Sequence, residues 1–200
     1  MKLYRPATVL VGVLFVLLGG LTRLAAPDQI YHGDDNLIVV HGTVGEKLKY
    51  SGSTLEITRL KLAKSYLDSS ASDDDKPIET NGVYVALEWD TVRGTEKPPG
   101  LDATLTADGG TVYTPVGGLN SDKIDFAEPG FGSTGAILFE VNPSDLKGLT
   151  LKLRPMMVYN VLWQVVDVDL GVPSEGVAQQ LVDGAAAQYV IPKTIQRVAQ

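Results

Sequence analysis

The stretch GVYVALEW, from Gly82 to Trp89, decides the fold class of this chain. Its side chains alternate in character with a period of two residues, which is typical of a β-strand. One face of the predicted strand carries Val83, Val85, Leu87 and Trp89, and the other carries Tyr84, Ala86 and Glu88. Trp89 and Trp163 both lie within strand patterns, so we expect both to be core residues.

Similar patterns occur on both sides of this strand. Further strands are predicted at 37–43, 55–62, 101–105, 112–115, 136–141, 149–153 and 158–170. The alternation slips at Arg59, which predicts either a bulge or a change of sheet. Residues 107–110 (Ala-Asp-Gly-Gly) are typical of a tight hairpin turn, because glycine can take positive φ. About eight short strands separated by turns predict an all-β, antiparallel β-sandwich.

The C-terminal extension, residues 172–200, has a different pattern. Ser174 is a suitable cap for a short helix from Glu175 to Asp183, which we expect to end at Gly184. Apolar side chains then follow among basic residues: Tyr189, Ile191, Ile195 and Val198. This part could pack back along the sandwich and cover an edge strand, dock on a partner protein, or be disordered. If it docks, those four side chains are the predicted partner-binding residues.

The N-terminal segment predicts a membrane anchor. Residues 7–26, ATVLVGVLFVLLGGLTRLAA, supply the roughly 20 residues that a helix needs to cross a bilayer. Basic residues precede this segment and aspartates follow it, which predicts a cytoplasmic N-terminus and an extracytoplasmic C-terminal domain. The predicted anchor residues are Val9, Val13, Leu14, Leu17 and Leu21. The expected location is therefore the cell membrane, with a single pass through the lipid bilayer.

A cleaved signal peptide is the alternative, and it would make the protein secreted. Cleavage after Ala26 would place Leu24 at the minus-three position, and cleavage after Ala25 would place Arg23 there. Neither residue is small, so the anchor is favoured. The chain has no cysteine, which excludes a lipoprotein anchor, thiol chemistry and cysteine metal sites.

The predicted organisation has five parts. A cytoplasmic N-terminus (1–6) is followed by the transmembrane helix (7–26), a short spacer (27–36), the β-sandwich (37–171) and the C-terminal extension (172–200). Without Lys2, Arg5 and Arg23, 14 basic residues remain against 24 acidic ones, so the part outside the anchor has a formal charge of −10. That charge disfavours nucleic acid and anionic headgroups as partners.

Little in the sequence predicts catalysis, a metal ion or a cofactor. The two histidines, His32 and His41, could share a metal only by approaching each other with nearby aspartates, and solvent exposure is the default for both. No nucleophile elbow and no phosphate-binding loop is present. Asp73, Asp74 and Asp75 could bind calcium, but their spacing does not match an EF-hand, and a solvated acidic loop is the alternative. We expect no catalytic, cofactor-binding or metal-binding residues.

Several short motifs carry a resemblance to a known family. They are Asn81-Gly82-Val83-Tyr84-Val85, the hairpin from Asp108 to Tyr113, and Glu128-Pro129-Gly130 leading into Ile137 to Pro143. Together with the export segment, they resemble the telokin-like, immunoglobulin-like extracellular domains of actinobacterial and other Gram-positive proteins. The resemblance covers about Val39 to Asp169 and implies an exported, non-enzymatic, immunoglobulin-like sandwich. It brings no site residues.

Two functions are predicted from these features. The first is a membrane-anchored, extracytoplasmic interaction module that serves as an accessory subunit of a membrane protein assembly, with another membrane or cell-envelope protein as its partner. The second is a secreted or surface protein that binds a small ligand, a metal or a host component after signal cleavage.

Overall fold

The computed structural model describes residues 37–68, 71, 75–116, 123–155 and 164–199. One compact unit covers Ile38–Gln200, and the fold described below is that unit. The predicted anchor, residues 7–26, and the spacer lie outside the described residues. Within the described ranges, no helix has the length and apolar character that a membrane span requires.

Strands dominate the compact unit. They are β1 (Ile38–Thr43), β2 (Lys47–Tyr50), β3 (Ser53–Asp68), β4 (Ile78–Val92), β5 (Leu101–Thr106), β6 (Val112–Tyr113), β7 (Lys123–Ile124), β8 (Phe131–Val141), β9 (Thr150–Pro155), β10 (Gln164–Asp169), β11 (Tyr189–Ile191) and β12 (Ile195–Val198). A 3-10 turn covers Pro143–Asp145, and the single described α-helix, α1, covers Glu175–Asp183. The predicted strand at 158–170 is described only from Gln164, so Trp163 lies outside the described residues.

These strands form two sheets. Sheet A has the order β1-β10-β9-β5-β6, with β7 also paired to β5. Sheet B has the order β11-β3-β4-β8-β12, with β2 also paired to β3. One hydrophobic core contains residues from both sheets, including Leu87 of β4 and Leu151 of β9. The predicted all-β sandwich is therefore confirmed.

Two pairings correct the prediction of a wholly antiparallel arrangement. Strand β1 runs parallel to β10, from Ile38 beside Gln164 to Thr43 beside Asp169. Strand β11 runs parallel to β3, with Tyr189 beside Tyr66. Parallel neighbours need a long connection between them, and in both cases most of the sandwich lies between the paired strands along the chain. Local alternation predicts strands and tight hairpins, but it does not predict such distant pairings.

Strand β4 is the middle strand of sheet B, and its alternation is confirmed. Val83, Val85, Leu87 and Trp89 belong to the core between the sheets. Tyr84 and Ala86 point the other way and belong to a second, smaller cluster. The strand is also longer than predicted, since it has 15 residues and pairs with β3 and β8 along most of that length.

The slip at Arg59 is a bulge. The pairing of β3 with β4 shifts register between Ile57 and Arg59, and β3 remains in sheet B beyond that point. Of the two alternatives, the change of sheet is therefore wrong. The extra residue lets Ile57 and Leu62 both point into the core, although they are five positions apart.

The C-terminal extension is part of the sandwich, which corrects the boundary predicted at residue 171. Helix α1 follows the prediction, because Ser174 Oγ accepts a hydrogen bond from the Val177 N–H and the helix ends at Gly184. Beyond the helix, β11 joins one edge of sheet B and β12 joins the other. Of the three arrangements considered for this part, packing along the sandwich is the one observed.

Candidate interaction surface

The segment from Ala186 to Val198, called here the strap, connects the two edges of sheet B. The Ala186 N–H donates to the Leu62 carbonyl over 2.8 Å, and the Lys64 N–H donates to the Ala186 carbonyl over 2.9 Å. Residues 192–194 alone separate β11 from β12. Pro192 and Lys193 line a cavity together with Glu88 of β4. The strap therefore crosses the outer face of sheet B, the face that points away from sheet A.

An apolar cluster lies on this outer face. Its sheet residues are Ala63, Tyr66, Tyr84, Ala86, Ala136 and Leu138, and all of them are buried. The strap contributes Tyr189 and Ile191 to the same cluster. Tyr66 and Tyr84 meet edge to face with ring centroids 5.0 Å apart. The part of sheet B under this cluster is thus buried on both faces, whereas the outer face of sheet A carries polar side chains such as Lys152 and Asp167.

Glu88 holds the first half of the strap. Its Oε1 accepts hydrogen bonds from Lys61 Nζ over 2.7 Å and from the Tyr189 hydroxyl over 3.2 Å. Burial raises the pKa of Tyr189 most, and the neighbouring Glu88 carboxylate raises it further, because both disfavour a phenolate. Lys61 Nζ also lies 5.7 Å from the centroid of the Tyr189 ring. Tyr189 therefore stays neutral and donates to Glu88.

Asp90 holds the second half. Arg197 Nη2 donates to Asp90 Oδ2 over 2.5 Å, and Arg197 lies on β12, two strands away from β4. Asp90 Oδ1 is buried and has no hydrogen-bond partner among the described residues. Glu88 and Asp90 are two positions apart on one strand and so face the same side. These two carboxylates anchor both halves of the strap.

A cavity of about 420 Å³ lies between the strap and β4. Its lining includes Arg59, Glu88, Asp90 and Lys193, so both signs of charge face it. Thr58 and Thr134 add hydroxyl groups. The cavity could accommodate a small polar molecule that carries donors as well as acceptors.

Strand β12 forms an exposed edge of sheet B. Val198 is 69% exposed and Ile195 is 57% exposed. Phe131, directly opposite Val198 on β8, is 41% exposed. Among the described residues, β8 is the only strand that pairs with β12. Apolar side chains beside unpaired backbone groups are the features by which a sheet edge accepts another strand.

The four predicted partner-binding residues have different environments. Tyr189 and Ile191 are buried within the cluster on sheet B, so their prediction as partner-binding residues is corrected: they pack on their own domain. Ile195 and Val198 are exposed on β12. The sequence does not predict the strap contacts of Glu88, Asp90 and Arg197. The one signal in the sequence is the alternation in β4, which places Glu88 on the face opposite to Val83 and Val85.

The other candidate residues are scattered or lie outside the described residues. The predicted anchor residues, His32, Asp73 and Asp74 are among those outside. His41 is exposed on β1. Asp167 accepts a hydrogen bond from Arg154 over 2.8 Å, and Asp169 accepts one from the Gly171 N–H. Among the described residues, no group of three or more acidic or histidine side chains is placed to hold a metal ion. Trp89 is buried, as predicted.

Comparisons with known proteins give one distant likeness. No family model and no curated protein matches the chain. The crystal structure of an uncharacterized β-sandwich protein from Clostridium difficile 630 is similar at 12% sequence identity, with a TM-score of 0.41. The match covers 68% of this chain and 97% of the other. The β-sandwich fold follows from the two sheets themselves, and membership of the telokin-like domains stays a prediction.

Proposed function

We propose that this chain is an immunoglobulin-like interaction module, held at the outer face of a membrane by residues 7–26, that binds a membrane or cell-envelope protein through the β12 edge. The β12 edge comprises Ile195–Val198 and Phe131 of β8. The observation that carries this proposal is the exposure of Val198, Ile195 and Phe131 beside an open strand. Burying such side chains contributes about 25 cal/mol per Å² of apolar surface.

The strap supports the proposal because it fixes this edge in place. Arg197 is tied to Asp90, and residues 186–191 are paired with β3. A partner that binds here meets a strand that is already ordered, so little conformational entropy is lost on binding. The accessory role predicted from the sequence agrees with a rigid domain whose exposed edge is available for contact.

Photo-crosslinking in the native membrane tests the proposal. A photoreactive phenylalanine analogue replaces Val198 in the full chain, and the matched control carries it at Val112, which is 58% exposed on β6 of sheet A. We expect a crosslinked protein adduct from position 198 and none from position 112. Equal labelling at both positions, or no adduct at position 198, would contradict the proposal. The intact mass of the mature chain tests the anchor, since loss of roughly the first 26 residues would overturn it.

The second candidate function is binding of a small ligand by an exported domain. The cavity between the strap and β4 favours it, because two basic side chains, Arg59 and Lys193, and two carboxylates, Glu88 and Asp90, line that space. A panel of sugars and amino acids, tested by thermal shift with the wild type and with Asp90→Asn, distinguishes this candidate. A ligand that stabilises the wild type but not the variant would support it.

A further inference from the structure

The two carboxylates that line the cavity between the strap and β4 each have a cation of their own. Glu88 Oε1 lies 2.7 Å from Lys61 Nζ, and Asp90 Oδ2 lies 2.5 Å from Arg197 Nη2. Lys61 and Arg197 are not themselves among the residues that line the cavity. The negative charge of the lining is therefore already compensated by the domain.

Two further basic side chains line the cavity, and both have little compensation. Arg59 Nη1 lies 3.9 Å from the second carboxylate oxygen of Glu88, and the Arg59 side chain is 69% exposed. Lys193 is exposed on the strap and forms no ion pair with any described residue. Both cations can therefore interact with a ligand in the cavity.

The neighbouring strand residues do not reverse this balance. Glu56 lies opposite Asp90 on β3, but Lys47 lies opposite Glu56 on β2. Opposite residues of antiparallel strands are side-chain neighbours, so Lys47 offsets the charge of Glu56. Five basic side chains thus surround the cavity against three acidic ones: Lys47, Arg59, Lys61, Lys193 and Arg197 against Glu56, Glu88 and Asp90. This region is positive, although the chain as a whole is acidic.

The part of the cavity near Asp90 suits a neutral hydrogen-bond donor. Asp90 Oδ1 is buried and has no hydrogen-bond partner among the described residues. Thr134, which also lines the cavity, lies opposite Asp90 on β8 and adds a hydroxyl group. A buried acceptor without a partner is costly, and a hydroxyl group of a ligand would supply the missing donor. A second cation would suit this position less, because Arg197 already lies beside Asp90.

We infer that this cavity binds a hydroxylated carboxylate, such as a sugar acid, with the carboxylate at Arg59 and Lys193 and the hydroxyl groups beside Asp90 and Thr134. The inference rests on the second candidate function proposed above and names its class of ligand. The excess of positive charge selects an anion over a neutral molecule or a zwitterion, and the environment of Asp90 selects hydroxyl groups over an ammonium group.

The lining also favours a carboxylate over a phosphate. Phosphate sites commonly use backbone N–H groups at the N-terminus of a helix. The described lining of this cavity comes from strands and from residues 192–193 of the strap, and Pro192 has no N–H to donate. An arginine can instead bind both oxygens of a carboxylate. The volume of about 420 Å³ is sufficient for a molecule the size of a monosaccharide.

Isothermal titration calorimetry on the full chain in a neutral detergent tests this inference. Glucuronate and galacturonate are titrated beside glucose and galactose, their neutral counterparts without the carboxylate. We expect at least one of the two acids to bind, and its neutral counterpart to bind at least tenfold more weakly. Added salt should weaken the binding of the acid, because salt screens exposed charges such as those of Arg59 and Lys193.

Lys193→Gln should weaken the binding of the acid at least tenfold. Lys76→Gln is the matched control and should leave the affinity unchanged, since Lys76 is exposed and lies outside the lining of the cavity. Equal affinity for an acid and its neutral counterpart, unchanged affinity in Lys193→Gln, or no binding of any of the four sugars would overturn the sugar-acid class. The wider panel with Asp90→Asn then decides separately whether the second candidate function stands.

Discussion

The Arg197 guanidinium donates to the Asp90 carboxylate over 2.5 Å and so ties β12 to the middle strand of sheet B, with β8 lying between them. Both side chains are partly exposed, so solvent screens the two charges and the ion pair contributes less to stability. The contact nonetheless compensates a carboxylate whose second oxygen is buried without a partner among the described residues.

Arg197→Gln should therefore destabilise the domain by about 1 kcal/mol, because it leaves the Asp90 carboxylate without its cation. The midpoint of urea unfolding, followed by circular dichroism on the full chain in detergent, measures the change. Arg59→Gln is the matched control, since Arg59 lies 3.9 Å from Glu88 and is mostly exposed. An equal loss in both variants would show that the Arg197 contact has no special role.

Alkaline pH should destabilise the fold through its buried tyrosines. The unfolded chain loses the Tyr189 proton near pH 10, whereas burial and the Glu88 carboxylate raise the pKa of the folded group, which keeps the proton. Stability is therefore complete below pH 10 and falls as the pH rises further, until the folded group itself ionises. The free energy of unfolding of Tyr189→Phe should decrease less steeply above pH 10 than that of the wild type, by about 1.4 kcal/mol per pH unit.

Tyr50 gives a comparison for that experiment. Burial raises the pKa of Tyr50 to about 12, so Tyr50→Phe should remove a similar slope only between pH 10 and about 12. Urea midpoints at half-unit pH steps measure both variants. An unchanged slope in Tyr189→Phe would mean that Tyr189 is not held neutral in the folded domain.

Gly135→Ala should destabilise sheet B by about 1–3 kcal/mol, because the core has no room for an added methyl group. A Cβ at Gly135 would lie 2.6 Å from Cζ2 of the buried Trp89 and 3.0 Å from Oγ1 of Thr194. Gly109→Ala is the matched control, since nothing lies within 4 Å of a Cβ there. Equal unfolding midpoints for the two variants would contradict the close packing of Trp89 on Gly135.

Leu138→Ala should cost about 2–4 kcal/mol, as expected for a core leucine, although this side chain points away from sheet A. The reason is that the cluster on the outer face of sheet B buries it almost completely. Val112→Ala on the exposed β6 should change the free energy of unfolding by less than about 0.5 kcal/mol. A small effect at Leu138 would indicate that the outer face is open to solvent.

The features that depend on neighbouring residues could be predicted from the sequence. The α1 boundaries follow from Ser174 and Gly184, which act within one or two turns of the helix. The two faces of β4 follow from the alternation of Val83 to Trp89. The slip at Arg59 marks the position of the irregularity in β3, although it left a bulge and a change of sheet as alternatives. In each case the signal and the structure lie in the same short stretch.

The features that depend on distant residues could not be predicted. Tyr84 and Ala86 mark a second apolar face, but nothing near them in the chain indicates that Tyr189 and Ile191 pack on it. The exposure of Val198 depends on which strand lies beside β12, and that is decided by the pairing with β8. Glu88 and Asp90 form their contacts with Tyr189 and Arg197 only when the strap packs on sheet B. The candidate surface is therefore a product of tertiary structure.

The two parallel pairings also set the order in which the domain can fold. The hairpins β3–β4 and β5–β6 can form early, because each joins strands that are close along the chain. Strand β1 can pair only after β10 has been synthesised, and the outer face of sheet B stays uncovered until the strap has been synthesised as well. During that interval Tyr84 and Leu138 are available to chaperones, or to another unfinished chain.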